Sequence, residues 1–156
     1  MGPLEGVTVI EVQSIGPGPF CGMMLADMGA TVIRVDRVSA VQPNPDTPPP
    51  QDVLARSRSS IAIDLKHRQG PEVLLELVLH ADILIEGFRP GVAERLGIGP
   101  QDCWKVNAGL VYGRMTGWGQ EGPAAGTAGH DINYIARTGA LHAVGPAGGR
   151  PVVPLN

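Results

Sequence analysis

The sequence predicts an α/β fold: an open, doubly wound, Rossmann-like sheet that is mostly parallel. Three observations predict it. Short β-branched runs alternate with helical stretches along most of the chain, which is the pattern of a layered α/β domain. The first two runs and the stretch between them form a βαβ unit of about 30 residues, and such a unit implies parallel strands with a right-handed crossover. Glycine and proline, 22 and 15 of the 156 residues, punctuate the ends of the runs.

Val7-Thr8-Val9-Ile10-Glu11-Val12 suits a first strand buried on both faces. It ends in Gly16-Pro17-Gly18-Pro19, and Phe20 to Met28 follows as a helix stopped by Gly29. Thr31-Val32-Ile33-Arg34-Val35-Asp36 is the second strand, with Arg37 directly after it. Residues 38–60 interrupt the alternation. Pro43, Pro45, Pro48, Pro49 and Pro50 oppose regular structure, and Arg56 and Arg58 close the segment. It reads as a mobile loop or lid, or as a solvated connector.

Ile61-Ala62-Ile63-Asp64-Leu65 reads as strand three. Gly70-Pro71 opens a helix to about Ala81, with Leu74, Leu75, Leu77 and Val78 inward and Pro71 near its first position. Asp82-Ile83-Leu84-Ile85-Glu86 is strand four, and Gly87-Phe88-Arg89-Pro90 is a turn. Val92 to Leu96 makes a short helix, Gly99-Pro100 opens another through about Val106, and Leu110 to Met115 is strand five. A glycine-rich loop then leads to His130. No internal repeat is visible.

After His130 the apolar residues Ile132, Ile135, Ala136, Gly139, Ala140, Ala143 and Val144 recur at spacings of three and four, which predicts one buried helical face. Asp131 is the predicted N-cap. His130 then lies at the positive end of a helix dipole, which disfavours the imidazolium and suits a proton-abstracting base. A structural histidine at a helix start is the competing reading.

The totals exclude several classes. A length of 156 residues is one domain's worth of chain. A net charge of −3, with no run among the 12 Lys and Arg, gives no footprint for nucleic acid. No apolar run reaches the roughly 20 residues needed to span a bilayer. The start lacks a signal-peptide pattern, and Cys21 and Cys103 have no metal-ligand spacing, so the expectation is a cytoplasmic protein with reduced thiols and no bound metal.

Doubly wound sheets bind ligands at the carboxyl ends of their strands. The exits here are Gly16-Pro17-Gly18, Asp36-Arg37, Lys66, Glu86-Gly87-Phe88-Arg89 and Thr116-Gly117-Trp118-Gly119; Arg37, Lys66 and Arg89 put a cation on three of the five. A ligand with phosphates fits such a rim. A dinucleotide fits less well. Gly16 and Gly18 match its fingerprint, but Cys21 stands at the third glycine, Pro17 and Pro19 remove amide donors, and Arg34 and Arg37 flank Asp36, the acid that should hold a ribose.

Several blocks are specific enough to suggest a family. They are Gly16 to Phe20, Leu25-Ala26-Asp27-Met28-Gly29-Ala30, Val32 to Arg37, Asp64-Leu65-Lys66, Ile83 to Val92, Arg95-Leu96-Gly97, Arg114 to Gln120, and above all Gly129-His130-Asp131-Ile132-Asn133-Tyr134. Across almost its whole length the chain resembles the N-terminal part of the α-methylacyl-CoA racemases, in the family III CoA-transferase superfamily. The resemblance implies an isomerase of fatty acid and lipid metabolism acting on 2-methylacyl-CoA or another acyl-CoA thioester, with coenzyme A as part of the substrate and no separate cofactor. By position, Arg37, Ile63, Asp64, Leu65, Lys66, Gly87, Phe88, Arg89, Arg95, Gly129, Asp131, Ile132, Asn133 and Tyr134 would contact the coenzyme, and His130 would be the base. It also implies an interlocked homodimer. Residues 1–156 would be the N-terminal part of the coenzyme-binding large domain, lacking the small domain and the second, carboxylate base, so the sheet would be short of a strand and a closing helix. Two alternatives stay open: a CoA transferase whose carboxylate nucleophile lies beyond Asn156, and a non-catalytic module that binds CoA esters.

Overall fold

The described strands are β1 (Thr8–Val12), β2 (Thr31–Asp36), β3 (Arg58–Ala62), β4 (Ile83–Glu86) and β5 (Val111–Arg114). They form one sheet in the order β3-β2-β1-β4-β5, and every pairing is parallel. The helices are α1 (Pro17–Asp27), α2 (Gly70–Val78), α3 (Val92–Arg95), α4 (Pro100–Val106) and α5 (Asp131–Thr138). This is a computed structural model that describes residues 2–41 and 52–154. The five prolines from Pro43 to Pro50 lie outside the described residues. The chain divides into two units, one up to Met115 and one from Thr116.

In the first unit the pleat sorts residues onto two faces. Ile10, Val12, Val35 and Leu84 pack on one face with Leu74 and Val78 of α2, Cys103 of α4 and Ile98. Val9, Val32 and Ile85 pack on the other with Ala26 of α1 and Ala30. The second face also holds a buried ion pair. Glu11 of β1 and Arg58 of β3 meet across β2 with side chains 0% and 2% exposed, and Arg58 also donates to the Leu54 carbonyl.

That pair explains a correction. Strand three is Arg58–Ala62 rather than residues 61–65, and β2 pairs Val32 with Arg58 and Asp36 with Ala62. Its start is polar because Arg58 is needed for Glu11 and because Ser59 and Ser60 are exposed at the sheet edge. Ile63 and Leu65 therefore fall beyond the ladder. The segment predicted as a loop to residue 60 is shorter at its described end, with a 3-10 turn at Val53–Ala55.

Two helix ends also differ from expectation. α1 begins at Pro17, where a proline's missing N–H costs nothing. α2 stops at Val78, because the Asn107 side chain donates to the carbonyls of Val78 (3.0 Å) and Ala81 (2.7 Å) and satisfies the chain where the helix ends. Leu74 and Val78 are buried, while Leu75 and Leu77 are half-buried.

The second unit contains α5 and a 3-10 turn over Ala140–Ala143. Gly139 takes the left-handed conformation at φ 82° and ends α5, so Ala140, Ala143 and Val144 do not continue its face. None of the described residues from Thr116 onward is buried. The predicted buried face is instead a half-exposed one. Trp118 packs edge-on against Tyr134, with centroids 4.7 Å apart, and the Arg137 guanidinium lies 5.3 Å from the Trp118 ring. Among the described residues no helix is long and apolar enough to cross a membrane.

Candidate functional site

A cavity of about 730 Å³ opens in the first unit where strands give way to loops. After β1 it is lined by Gln13, and after β2 by Arg37, Val38 and Ser39. Residues 63–66 line it after β3, and Gly87, Phe88 and Arg89 line it after β4. Val92 of α3 and Leu96, its C-cap, complete the wall. Parallel strands end together on one side, so residues far apart in sequence reach one rim.

The cavity has an apolar floor and a cationic rim. Val12, Val35 and Ile63 are buried at its base, whereas Arg37, Lys66 and Arg89 are exposed. Side-chain hydrogen bonds set the loops that carry two of these cations. The Arg37 N–H donates to Gln13 Oε1 (3.1 Å), and the Lys66 N–H donates to Asp64 Oδ1 (3.0 Å). Ser14 supports the third exit. A Cβ on Gly87 would lie 2.6 Å from Ser14 Cβ, and one on Gly18 would lie 2.1 Å from Ser14 Oγ, so glycine is required on both sides of that serine.

Asp36 lines the cavity but is not free to bind a sugar, because Arg34 pairs with it at 2.9 Å. Glu86 lies just below the β4 exit, 2% exposed. Burial pushes its carboxyl above the ordinary value of 4.5, the Phe88 N–H and Arg114 pull it partly back, and Glu94 adds to the rise. Cys103, with no exposure, is pushed up to about 11 by burial and Asp102, and is an inert thiol.

The expected contact residues fall into two groups. Arg37, Ile63, Asp64, Leu65, Lys66, Gly87, Phe88 and Arg89 all line the one cavity. Arg95 is exposed on α3 and is not among its lining residues, although Val92 of that helix and the C-cap Leu96 are. Gly129, His130, Asp131, Ile132, Asn133 and Tyr134 belong to the second unit. There His130, not Asp131, is the N-cap of α5, and Asp131 is the first helical residue. The His130 N–H donates to Asn133 Oδ1 at 2.9 Å, closing the turn, and the residue is exposed. Tyr134 approaches Gly129 closely enough that a Cβ there would lie 2.6 Å from the Tyr134 hydroxyl.

Sequence reasoning missed Val12, Gln13, Val35, Val38, Ser39, Val92 and Leu96 as lining residues. Val35, Val38 and Ser39 stand one or two positions from Asp36-Arg37 and a wider reading of that exit would have found them, whereas Val12 ends β1 itself and Gln13 follows it, before the Gly16 exit. Among the described residues no group of three or more His, Cys, Asp or Glu could hold a metal ion. The first unit's cavity offers cations for phosphate groups and an apolar bed for a flat or aliphatic group.

A model of CoA-transferase family III matches residues 4–155. The alpha-methylacyl-CoA racemase of Mus musculus is 46% identical over 153 residues, covering 98% of this chain and 38% of the relative. The succinyl-CoA:glutarate CoA-transferase of Mus musculus is 35% identical over 162 residues, 99% of this chain and 37% of its own length. The crystal structure of a CAIB/BAIF family protein from Brucella suis superposes with a TM-score of 0.85 at 29% identity, over 98% of this chain and 43% of that one. The chain thus spans less than half the length of these relatives.

Proposed function

The chain belongs to CoA-transferase family III, a family of enzymes, and from that premise we propose that it binds acyl-CoA thioesters in the strand-end cavity and serves a racemase. The observation that carries this reading is the convergence of Arg37, Lys66 and Arg89 on one apolar-floored cavity. Phosphates of the coenzyme would meet the cations, which bind them by charge-assisted hydrogen bonds. Apolar parts would lie over Val12, Val35 and Ile63. Racemase is preferred to transferase on the higher identity to the mouse racemase and on the Gly129 to Tyr134 block.

In the proposed reaction His130 takes the α-proton of a 2-methylacyl-CoA. The C–H electron pair moves into the thioester as an enolate, and the proton passes to the imidazole. Return of a proton to the opposite face, from a second acid–base group, gives the other configuration. Each such group typically contributes about 100- to 10,000-fold. The reading carries a homodimer and a cytoplasmic setting with it.

Incubation with a 2-methylacyl-CoA in D2O tests it, with deuterium at the α-carbon as the readout and His130→Ala as the control. Exchange that vanishes in the variant supports His130 as the base. Exchange that persists removes His130 from the role. Binding without exchange favours the CoA-ester-binding module. The 35% identity to a succinyl-CoA:glutarate CoA-transferase keeps transfer as the second reading, and a trapped acyl-enzyme would establish it instead.

A further inference from the structure

Glu86 is a carboxylate buried at the mouth of a strand, and it does not itself line the cavity. Burying a charge is costly unless it is paired or hydrogen-bonded, so its contacts are informative. One oxygen, Oε2, accepts the Phe88 N–H at 2.6 Å, closing a small ring around Gly87. The other, Oε1, faces Arg114 Nε of β5 at 3.9 Å. Arg114 in turn pairs with Glu94 on α3, and its guanidinium lies 5.6 Å from the Tyr112 ring. The Tyr112 hydroxyl donates to the Ile98 carbonyl at 3.0 Å. Glu86 is therefore the common anchor of two cavity walls. Its turn presents Gly87, Phe88 and Arg89, and the helix tied through Arg114 presents Val92 and its C-cap Leu96.

We propose that Glu86 is a positioning residue for the cavity, its carboxylate holding the Gly87-Phe88-Arg89 turn in the shape that receives the coenzyme. This rests on the acyl-CoA reading above for the identity of the ligand. The hydrogen bond is the working part. A charged acceptor two residues from its donor fixes the direction of the Phe88 amide, and with it the ring that walls the cavity and the start of the Arg89 side chain. Ser14, packed against Gly87 from the other side, leaves the turn little room to relax.

The test measures the chain and two variants by amide hydrogen exchange at Phe88 and by titration with coenzyme A. In the unaltered chain the Phe88 amide exchanges at least about tenfold more slowly than the amides of its exposed neighbours Gly87 and Arg89, each corrected for its intrinsic rate. Equal rates would overturn the proposal without any ligand. Glu86→Ala removes the acceptor; Phe88 loses its protection and coenzyme A binds about tenfold or more weakly. Glu86→Gln keeps an oxygen for the Phe88 N–H, so protection and affinity stay within about threefold of the unaltered chain. A Gln variant as damaged as the Ala variant, or an Ala variant that keeps both properties, sinks the idea. Should Glu86→Ala not fold, the unaltered chain and Glu86→Gln still decide through Phe88. Failure of the unaltered chain to bind coenzyme A would refute the acyl-CoA reading, while Phe88 exchange would still decide whether Glu86 holds the turn.

Discussion

The strand-end cavity follows directly on a sheet whose strands β1, β2 and β4 fill the core, whereas α5, which begins after His130, contains no buried residue. The cavity is held by burial on both faces of the sheet, by the Glu11–Arg58 pair and by side-chain hydrogen bonds at the strand exits. The His130 turn is held by its own neighbours, through the Asn133 bond to its N–H and the Trp118–Tyr134–Arg137 stack. A fold of this type supplies its binding surface as a by-product of making a sheet. The proposed reacting group depends on contacts that are local, few and individually weak.

The two tryptophans make the contrast measurable, because Trp104 reports on the first unit and Trp118 on the second. The largest effect is expected at Arg58. Arg58→Ala leaves Glu11 buried without its partner and should cost about 3–5 kcal/mol in urea unfolding followed at Trp104. A cost below about 1 kcal/mol would mean that Glu11 finds water or another partner. Next, Leu74→Ala should cost about 2–5 kcal/mol, while Ile135→Ala on half-exposed α5 should cost about 0.5 kcal/mol. Similar costs at the two sites would erase the distinction between the units.

Below the Leu74 effect, Trp118→Ala removes an aromatic pair worth about 0.5–1.5 kcal/mol and an exposed cation–π contact worth about 0.5–1 kcal/mol. It should speed exchange of the α5 amides and leave β1 and β4 unchanged. The smallest effect is a slope. Glu86 sits above its ordinary value of 4.5 in the folded chain, so the native state holds more protons there than the unfolded one. The stability it contributes is present below about 4.5 and fades as pH rises through the raised value. Glu86→Gln cannot lose a proton. Its stability relative to the unaltered chain should therefore grow as pH is raised from 4.5 toward neutrality, in parallel urea titrations.

Much of the sheet was legible because its central strands are buried on both faces and read as β-branched runs. Val9, Ile10, Val32, Val35, Leu84 and Ile85 need no context to be recognised. The edge was not. Arg58-Ser59-Ser60 reads as loop because an edge strand is half-solvated, and its one inward side chain is a cation matched to Glu11, 47 residues away. The cations Arg37, Lys66 and Arg89 were legible because strand-end geometry follows from topology alone. Helix α5 failed differently. A spacing of three and four reports that one face is apolar, not that anything covers it, and Gly139 turns the chain away before the face can lengthen. The role of Glu86 left no sequence signal, since an acid at a strand end looks like any solvated residue.

The position of β1 has a consequence for synthesis. It pairs with β2 on one side and β4 on the other, so the strand made first is completed late. Once β2 leaves the ribosome the pair can form, but it offers Val9, Ile10, Val32 and Val35 to water. At the usual elongation speeds of about 5–20 residues per second, several seconds pass before β4 is available. During that interval the nascent chain displays an unpaired, apolar strand edge, the kind of surface that pairs with other chains.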